Sequence, residues 1–438
     1  MPLLTLENTP RILMPLTRHA VISSVLCVAC LANAMDREGR EPYYNIKAGP
    51  VYVTLSSGID TEYTDNVNLS NGTTTPIQPE LTINPHFGIT AASQLQFAPL
   101  SETNTQNLSF TANLGYKDYV FHPELNQQIT DINIAPDSEL AFVIHAGHFK
   151  IRLHDSFSLQ SDPTSDGSLS NVAQFRRFVN NAGVDVRWDV NSKTGLNLGY
   201  SHSSLNALSI TTLGNSATNL TANNLNSSTD TLTFAGDCQV FSLLKVGFNS
   251  SAQATTFPSA PEQDSTNYSY GPFMDARLTQ FTTITASTGV TQTKQGNVFT
   301  GTGAGGQGIA DTTTNYFNLS LNNEMNLYYT QTLSVGRQVS LSLLGSQTEV
   351  DYIRYRSNWK VNSHVNISSG LFAEDTTDLG LVAGFSHYRR YGADLSTGYQ
   401  LSKKMSTSLS YRYINKIADD PTQSYKQNTV TWSINYQF

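Results

Sequence analysis

The C-terminal segment constrains the fold more than any other feature. In Val430–Phe438 the even positions are Val430, Trp432, Ile434, Tyr436 and Phe438; the odd ones are Thr431, Ser433, Asn435 and Gln437. Successive side chains of a strand point to opposite faces, so one face is wholly apolar and the other wholly polar. A helix would scatter both sets around its axis. The alternation recurs. Met405, Leu409, Tyr411 and Tyr413 oppose Ser406, Ser408, Ser410 and Arg412; Ala182, Val184, Val186, Trp188 and Val190 oppose Asp185, Arg187 and Asp189. Leu108, Phe110, Ala112, Leu114 and Tyr116 oppose Thr111, Asn113 and Lys117.

A soluble antiparallel sheet alternates as well, and charge separates the two cases. Charged residues make up 14% of the 438 residues, against about 25% in ordinary soluble proteins. Aromatic residues reach 10%, which argues against disorder. The chain holds no run of about 18 apolar residues that would cross a membrane as a helix. The expectation is an all-β fold: a transmembrane antiparallel up-and-down β-barrel.

Short connectors are expected near 191–193, 242–244, 279–281, 336–338, 361–363 and 402–404. Long ones, rich in Gly, Ser, Thr, Asn and Pro, fall near 65–78, 160–174, 208–228, 258–266, 296–312 and 417–424. Such barrels pair short periplasmic turns with long external loops. Strands are expected from about 46, 78, 106, 127, 139, 174, 194, 228, 244, 266, 282, 313, 339, 349, 364, 379, 405 and 424. That makes 18, with 16 as the alternative count. The apolar phase slips near Gly147, as at a bulge. The runs 313–335 and 379–401 each read as one long strand, with a hairpin as the alternative.

Residues 20–31, AVISSVLCVACL, follow Arg11, Arg18 and His19 and precede Ala32-Asn33-Ala34. A basic flank, a short apolar core and an A-x-A site make a secretory signal peptide. It starts at Met1 or Met14 and is expected to be cleaved after Ala34. Residues 35–45 then form a short periplasmic segment and 46–438 the barrel. Losing 1–34 removes Arg11, Arg18 and Glu7 and leaves 24 basic and 33 acidic residues. That balance argues against nucleic acid as a partner. Cys27 and Cys30 leave with the leader, so Cys238 remains, expected as a small apolar residue on a strand.

The terminal Tyr436-Gln-Phe438 resembles the signal of Gram-negative outer-membrane barrels. There a final Phe with alternating aromatics is read by the barrel-insertion machinery. Tyr63-Thr-Asp-Asn66 resembles the Tyr-x-Asp-Asn segment that opens the β-barrel porin family of Gram-negative outer-membrane proteins. Leu81-Thr-Ile-Asn-Pro85 is similar to that family's second strand. The resemblance implies a cell outer-membrane location after Sec-type export, with outer-membrane lipid, lipopolysaccharide and the insertion machinery as partners.

Several patterns bear on chemistry. Gly301-Thr-Gly303-Ala-Gly-Gly306 matches a dinucleotide-binding spacing, but lies in a long loop rather than between strand and helix. His145, His148 and His154 are too far apart on an extended strand to share a metal. Asp162-Pro-Thr-Ser-Asp166-Gly lacks the later Glu of a Ca²⁺ loop and reads as a solvated turn. Glu262, Asp264, Asp311, Glu374, Asp375, Asp378, Asp419 and Asp420 are expected in loops. His202-Ser203 and His154-Asp155 are sequence neighbours, and neighbours on a strand point apart. No catalytic residue, metal site or cofactor is expected, and the chain is not expected to be an enzyme.

With the apolar face outward, the pore-lining bases are Lys117, Arg152, Arg187, Lys245, Arg277, Arg354, Arg356, Arg390 and Arg412. The pore-lining acids are Asp185, Asp189, Asp237, Asp275, Glu324 and Asp394. Unpaired buried ions are expensive, so these charges imply water inside, as in porins of 16–18 strands. Nine bases against six acids suggest a slight anion preference; the alternative is that they pair across the lumen and select nothing. The expected function is a porin-like channel for passive diffusion of small hydrophilic solutes. The alternatives are a structural or polysaccharide-export-associated barrel closed by loops 208–228 and 296–312, or an outer-membrane hydrolase. Solute and oligomeric state stay open.

Overall fold

The computed structural model describes residues 45–73, 75–94, 104–126, 132–163, 167–213, 222–295, 311–343, 347–379 and 387–438. The signal peptide and the Gly301–Gly306 motif lie outside them.

Eighteen long strands make the wall: β1 (Val51–Thr64), β2 (Glu80–Gln94), β3 (Asn104–Tyr116), β4 (Glu139–Ala146), β5 (Phe149–Gln160), β6 (Gln174–Asp189), β7 (Thr194–Thr211), β8 (Ser227–Phe241) and β9 (Leu244–Thr256). The second half is β10 (Ser265–Arg277), β11 (Thr282–Gln295), β12 (Thr312–Asn326), β13 (Tyr329–Leu341), β14 (Gln347–Lys360), β15 (Val365–Asp378), β16 (Tyr388–Gln400), β17 (Met405–Ala418) and β18 (Tyr425–Gln437). Each pairs antiparallel with its sequence neighbours, and β1 pairs with β18 from Ser56↔Gln437 to Thr64↔Thr429. The sheet is therefore a closed barrel with no free edge.

The expected count is right, but the path to it differs in two places. Of the strand expected from 127, residues 127–131 lie outside the described residues, and the rest is not a separate wall strand. Ile132–Ile134 pairs with β3 at Leu114↔Ile134, and β4 resumes on the same strand at Thr111↔Glu139. Residues 135–138 bulge out between them, where Pro136 has no N–H to give the ladder. The irregularity at Gly147 is not a bulge but a turn: Gly147 has φ of +57° and Ala146 pairs with Phe149. That left-handed conformation suits glycine, so the phase slip marks a hairpin.

The run 313–335 is likewise a hairpin, turning at Leu327-Tyr328, with Asn326↔Tyr329 closing it. Residues 336–338, expected as a turn, lie inside β13, where Gly336↔Tyr352 and Gln338↔Val350 continue the ladder. A two-residue turn pairs an even with an odd position and so shifts the apolar phase, as at Gly147; at 327–328 the register shift between Glu324 and Asn326 restores it, so periodicity alone could not find that turn. In 379–401 the strand begins at Tyr388, and 380–386 lie outside the described residues. Glu374, Asp375 and Asp378 were expected in a loop; all three sit on β15.

The apolar face forms a band around the wall. Leu198, Tyr200, Leu232 and Phe234 are exposed on it, as are Ile353, Leu371, Leu409 and Trp432. At the short-turn end, Phe149 stacks on Trp188 with ring centroids 5.8 Å apart, and Tyr436 meets Phe438 edge-on at 5.2 Å. Aromatic girdles of this kind flank the apolar band of membrane barrels. Cys238 is an exposed thiol on β8.

Candidate functional site

The long-loop end is not open all round. Loop 161–173 joins β5 to β6, yet its residues 168–171 reach β17 and the 419–424 connection, a third of the way around the ring. Lys416 Nζ, on β17, donates to Ser170 Oγ at 3.0 Å and to the Ser168 carbonyl at 3.4 Å. Asn171 Nδ2 donates to the Thr422 carbonyl (2.9 Å) and Ser170 Oγ to that of Gln423 (2.7 Å). Asn171 N–H donates to the Leu69 carbonyl of loop 65–79 at 3.1 Å. Lys416 is 1% exposed and its ammonium sits 4.6 Å from the Tyr388 ring centre, a cation–π contact. The loop is thus a strap across the barrel mouth.

Apolar residues seat it. Leu169, Val172 and Phe175 cluster with Ala207 and Leu225, and Leu343 packs on them from the β13–β14 connection. Val67, Tyr119, Leu125, Ala173 and Leu213 join four loops in a second cluster. Beside it Glu80, fully buried, accepts from His122 Nδ1 at 2.7 Å and from the backbone N–H groups of Phe121 and His122. Loops 208–228 and 296–312 were the expected closing elements. The first contributes Leu213 and Leu225, with 214–221 undescribed; 296–310 lie outside the described residues. The strap at 161–173 was missed. Its signal was Leu169-Ser-Asn-Val172-Ala173, an apolar insert in a polar loop.

The expected charges share the polar face with this strap, and most are paired. Glu374 lies between Arg354 and Arg390, 2.8 Å from each, and is 9% exposed. Arg354 also covers the Tyr352 ring, and Arg390 the Phe372 ring. Asp237 lies between Arg187 (3.3 Å) and Lys245 (3.1 Å), and Arg187 also reaches Asp189 at 2.8 Å. Arg152 pairs with Glu139, and Asp185 with His154. Lys117 reaches Glu62 at 3.7 Å. Lys117 and Arg412 line one recess under the strap with Glu62, Asp162, Thr82 and Gln427. Arg277, Arg356, Arg412, Asp275, Glu324 and Asp394 form no ion pair among the described residues.

Glu62, Glu139 and Glu374 were missing from the expected set, and they cancel the base excess counted in sequence. Glu139 and Glu374 sit where neighbouring residues do not alternate cleanly; around Glu62 the alternation of Ile59 and Tyr63 with Asp60 and Thr64 is intact and carried the signal.

Other candidates resolve by position. His145 pairs across the hairpin with Lys150, and His154 lies four rungs away opposite Ala141. Asp162 gives its carbonyl to Arg177 Nη1 at 2.9 Å. On the apolar face, His202 of β7 faces Asp230 of β8, with Ser228 two rungs away on the same face.

No protein-family model matches this sequence, and no curated protein matches it. Solved structures do. A BenF-like porin from Pseudomonas fluorescens Pf-5 aligns over 88% of this chain and 99% of its own, with a TM-score of 0.50 and 9% identity. OccK2 (OpdF) of Pseudomonas aeruginosa, in complex with glucuronate, gives 0.49 and 10%, over 88% and 98%. OccAB3 of Acinetobacter baumannii gives 0.47 and 12%, over 88% and 99%. The first of these likenesses, with the closed 18-strand wall, defines the class by fold: a porin-type β-barrel.

Proposed function

We propose that this chain is an outer-membrane channel through which small hydrophilic solutes diffuse passively. The observation that carries the reading is the sidedness of the closed wall. Its apolar band faces one way and its charged, ion-paired face the other, toward the strap that crosses the ring. A band of exposed Leu, Phe and Trp suits lipid, and paired charges with free Arg277, Arg356 and Arg412 among them suit a water-filled lumen. The bases and acids predicted from sequence then line the pore. Loop 161–173 narrows its external mouth, with the Lys117–Arg412 recess beneath it. Because Glu62, Glu139 and Glu374 neutralise their partners, selectivity between small anions and cations is weak.

Residues 1–34 serve as the leader that sends the chain to the outer membrane, and Tyr436 and Phe438 as its insertion signal. Lipid and lipopolysaccharide surround the wall. The experiment is single-channel conductance of the refolded mature protein in a planar bilayer, followed by reversal potential in a salt gradient. Stable ohmic steps with weak selectivity support the reading. Insertion without conductance would replace it with a structural or export-associated barrel whose strap seals the mouth.

A further inference from the structure

The outer face of the wall carries a constellation that pore function does not use. Asp230 and His202 are directly opposed on β8 and β7, and Ser228 and Ser204 are the next opposed pair on the same face toward the long-loop end. His202 Nδ1 lies 2.9 Å from Asp230 Oδ1, and Ser228 Oγ lies 3.5 Å from His202 Nε2. Tyr200 O–H donates to the same Asp230 oxygen at 2.7 Å. The carboxylate therefore orients the imidazole with its proton on Nδ1, leaving Nε2 as the base facing the serine hydroxyl. This is the nucleophile, base and orienter relation of acyl-transfer enzymes, recognised by geometry rather than sequence order.

Its place fixes the substrate. His202 follows Leu198 and Tyr200 on the apolar side of β7, and Asp230 precedes Leu232 and Phe234 on that side of β8; all four of these neighbours are exposed. The three residues thus sit on the rim of the apolar band, where lipid acyl chains give way to polar groups. His202 and Asp230 side chains are 45% and 51% exposed in the isolated chain, open to a ligand approaching along the wall. Ser204, opposite Ser228, forms no hydrogen bond among the described residues, and its hydroxyl is free to donate to a developing oxyanion.

We propose that Ser228, His202 and Asp230 form a lipid-facing serine-hydrolase site that cleaves long-chain acyl esters at the outer edge of the membrane. Ser228 Oγ attacks the ester carbonyl carbon as its proton passes to His202 Nε2, and the carbonyl electron pair moves onto oxygen. Collapse reforms C=O and breaks the bond to the alcohol, which leaves with the proton from His202. Water then adds to the acyl-serine, giving a proton to His202. The acyl–Oγ bond breaks, and His202 returns the proton to Oγ. Ester and water become alcohol and carboxylic acid, and no redox partner is needed.

The test uses the full mature protein in lipid vesicles. A fluorophosphonate probe is followed by peptide mass spectrometry, and fatty-acid release is measured from phosphatidylethanolamine and, separately, from lipopolysaccharide. The wild type is expected to carry the adduct on Ser228 and to release fatty acid. Ser228→Ala should abolish both, and His202→Ala should slow release by about 10²–10⁴-fold. Both variants should keep wild-type conductance, which shows that they fold. The substrate that yields fatty acid identifies the ester's source. No adduct on Ser228 in a conducting wild-type protein overturns the proposal, as does release that survives Ser228→Ala.

Discussion

Removing the Lys416 ammonium should loosen the strap without disturbing the wall. Lys416→Met keeps the length and apolar stem of the side chain, so its packing on Tyr388 and Tyr425 survives. It loses the bonds to Ser170 Oγ and the Ser168 carbonyl, and the cation–π contact. A hydrogen bond to a charged group is worth about 1.5–3 kcal/mol and a desolvated cation–π contact about 2 kcal/mol or more, and the cost of burying the ammonium offsets much of that sum. Three ties remain, from Asn171 to Leu69 and Thr422 and from Ser170 to Gln423. The loop should therefore shift its balance rather than detach. A net loss of about 2 kcal/mol multiplies the displaced population roughly 30-fold, at about 1.4 kcal/mol per factor of ten. A displaced state held at about 0.3% would rise to about 10%, within the range where minor conformers are detected. In single-channel records that change appears as frequent transitions to a second conductance level. Wild-type noise and level occupancy in a variant that refolds with wild-type yield would refute the strap as the gate.

Three further outcomes follow from particular contacts. Glu374→Gln leaves Arg354 and Arg390 facing each other in a half-buried site; the reversal potential should move toward anion selectivity, and the barrel should lose about 3–5 kcal/mol in urea-dependent unfolding. His387, in the 379–387 connection, bridges Asp419 and Asp375; its pKa is raised first by the Asp419 hydrogen bond and then by Asp375. A raised pKa means the tether is fully present below pH about 6.5, the unfolded value, and is lost as pH rises through the folded value. Limited proteolysis of that connection should therefore speed up at alkaline pH in wild type and be pH-independent in His387→Gln. Deletion of Phe438 removes the edge-on contact with Tyr436 and the bond from its N–H to the Leu55 carbonyl. Outer-membrane levels of the deleted protein, read by membrane fractionation, should drop sharply while periplasmic levels rise.

The wall was legible because its two faces meet different solvents. Trp432 and Ser433 could not exchange places without burying a hydroxyl in lipid, so the period of two had to survive in the sequence. Turns were most legible where they carry several polar residues, as at Asn191-Ser-Lys193. At Leu327-Tyr328 the turn residues are themselves apolar, and the alternation ran through them unbroken. The charged face was half legible. Arg354 and Arg390 stand out on alternating strands, whereas Glu374, which joins them, sits beside Asp375, and two adjacent acids read as loop. The strap and the Ser228–His202–Asp230 constellation were hidden for another reason. Both depend on which residues stand opposite across strands, and register is set by the whole sheet rather than by any local pattern.

The β1–β18 seam carries a consequence for biogenesis. Every other long-strand pairing joins neighbours in sequence, so most of the wall can zip up as successive hairpins with short-range closure. The seam alone brings together residues separated by almost the whole wall, such as Ser56 and Gln437. Until it forms, the sheet has two bare edges, each a template for pairing with another copy. Aggregation during assembly is thus concentrated in one late event rather than spread along the chain. Occupying the edge of the last strand until the first arrives would protect the entire sheet, and the proposed reading of Tyr436 and Phe438 as an insertion signal would place a receptor to do that.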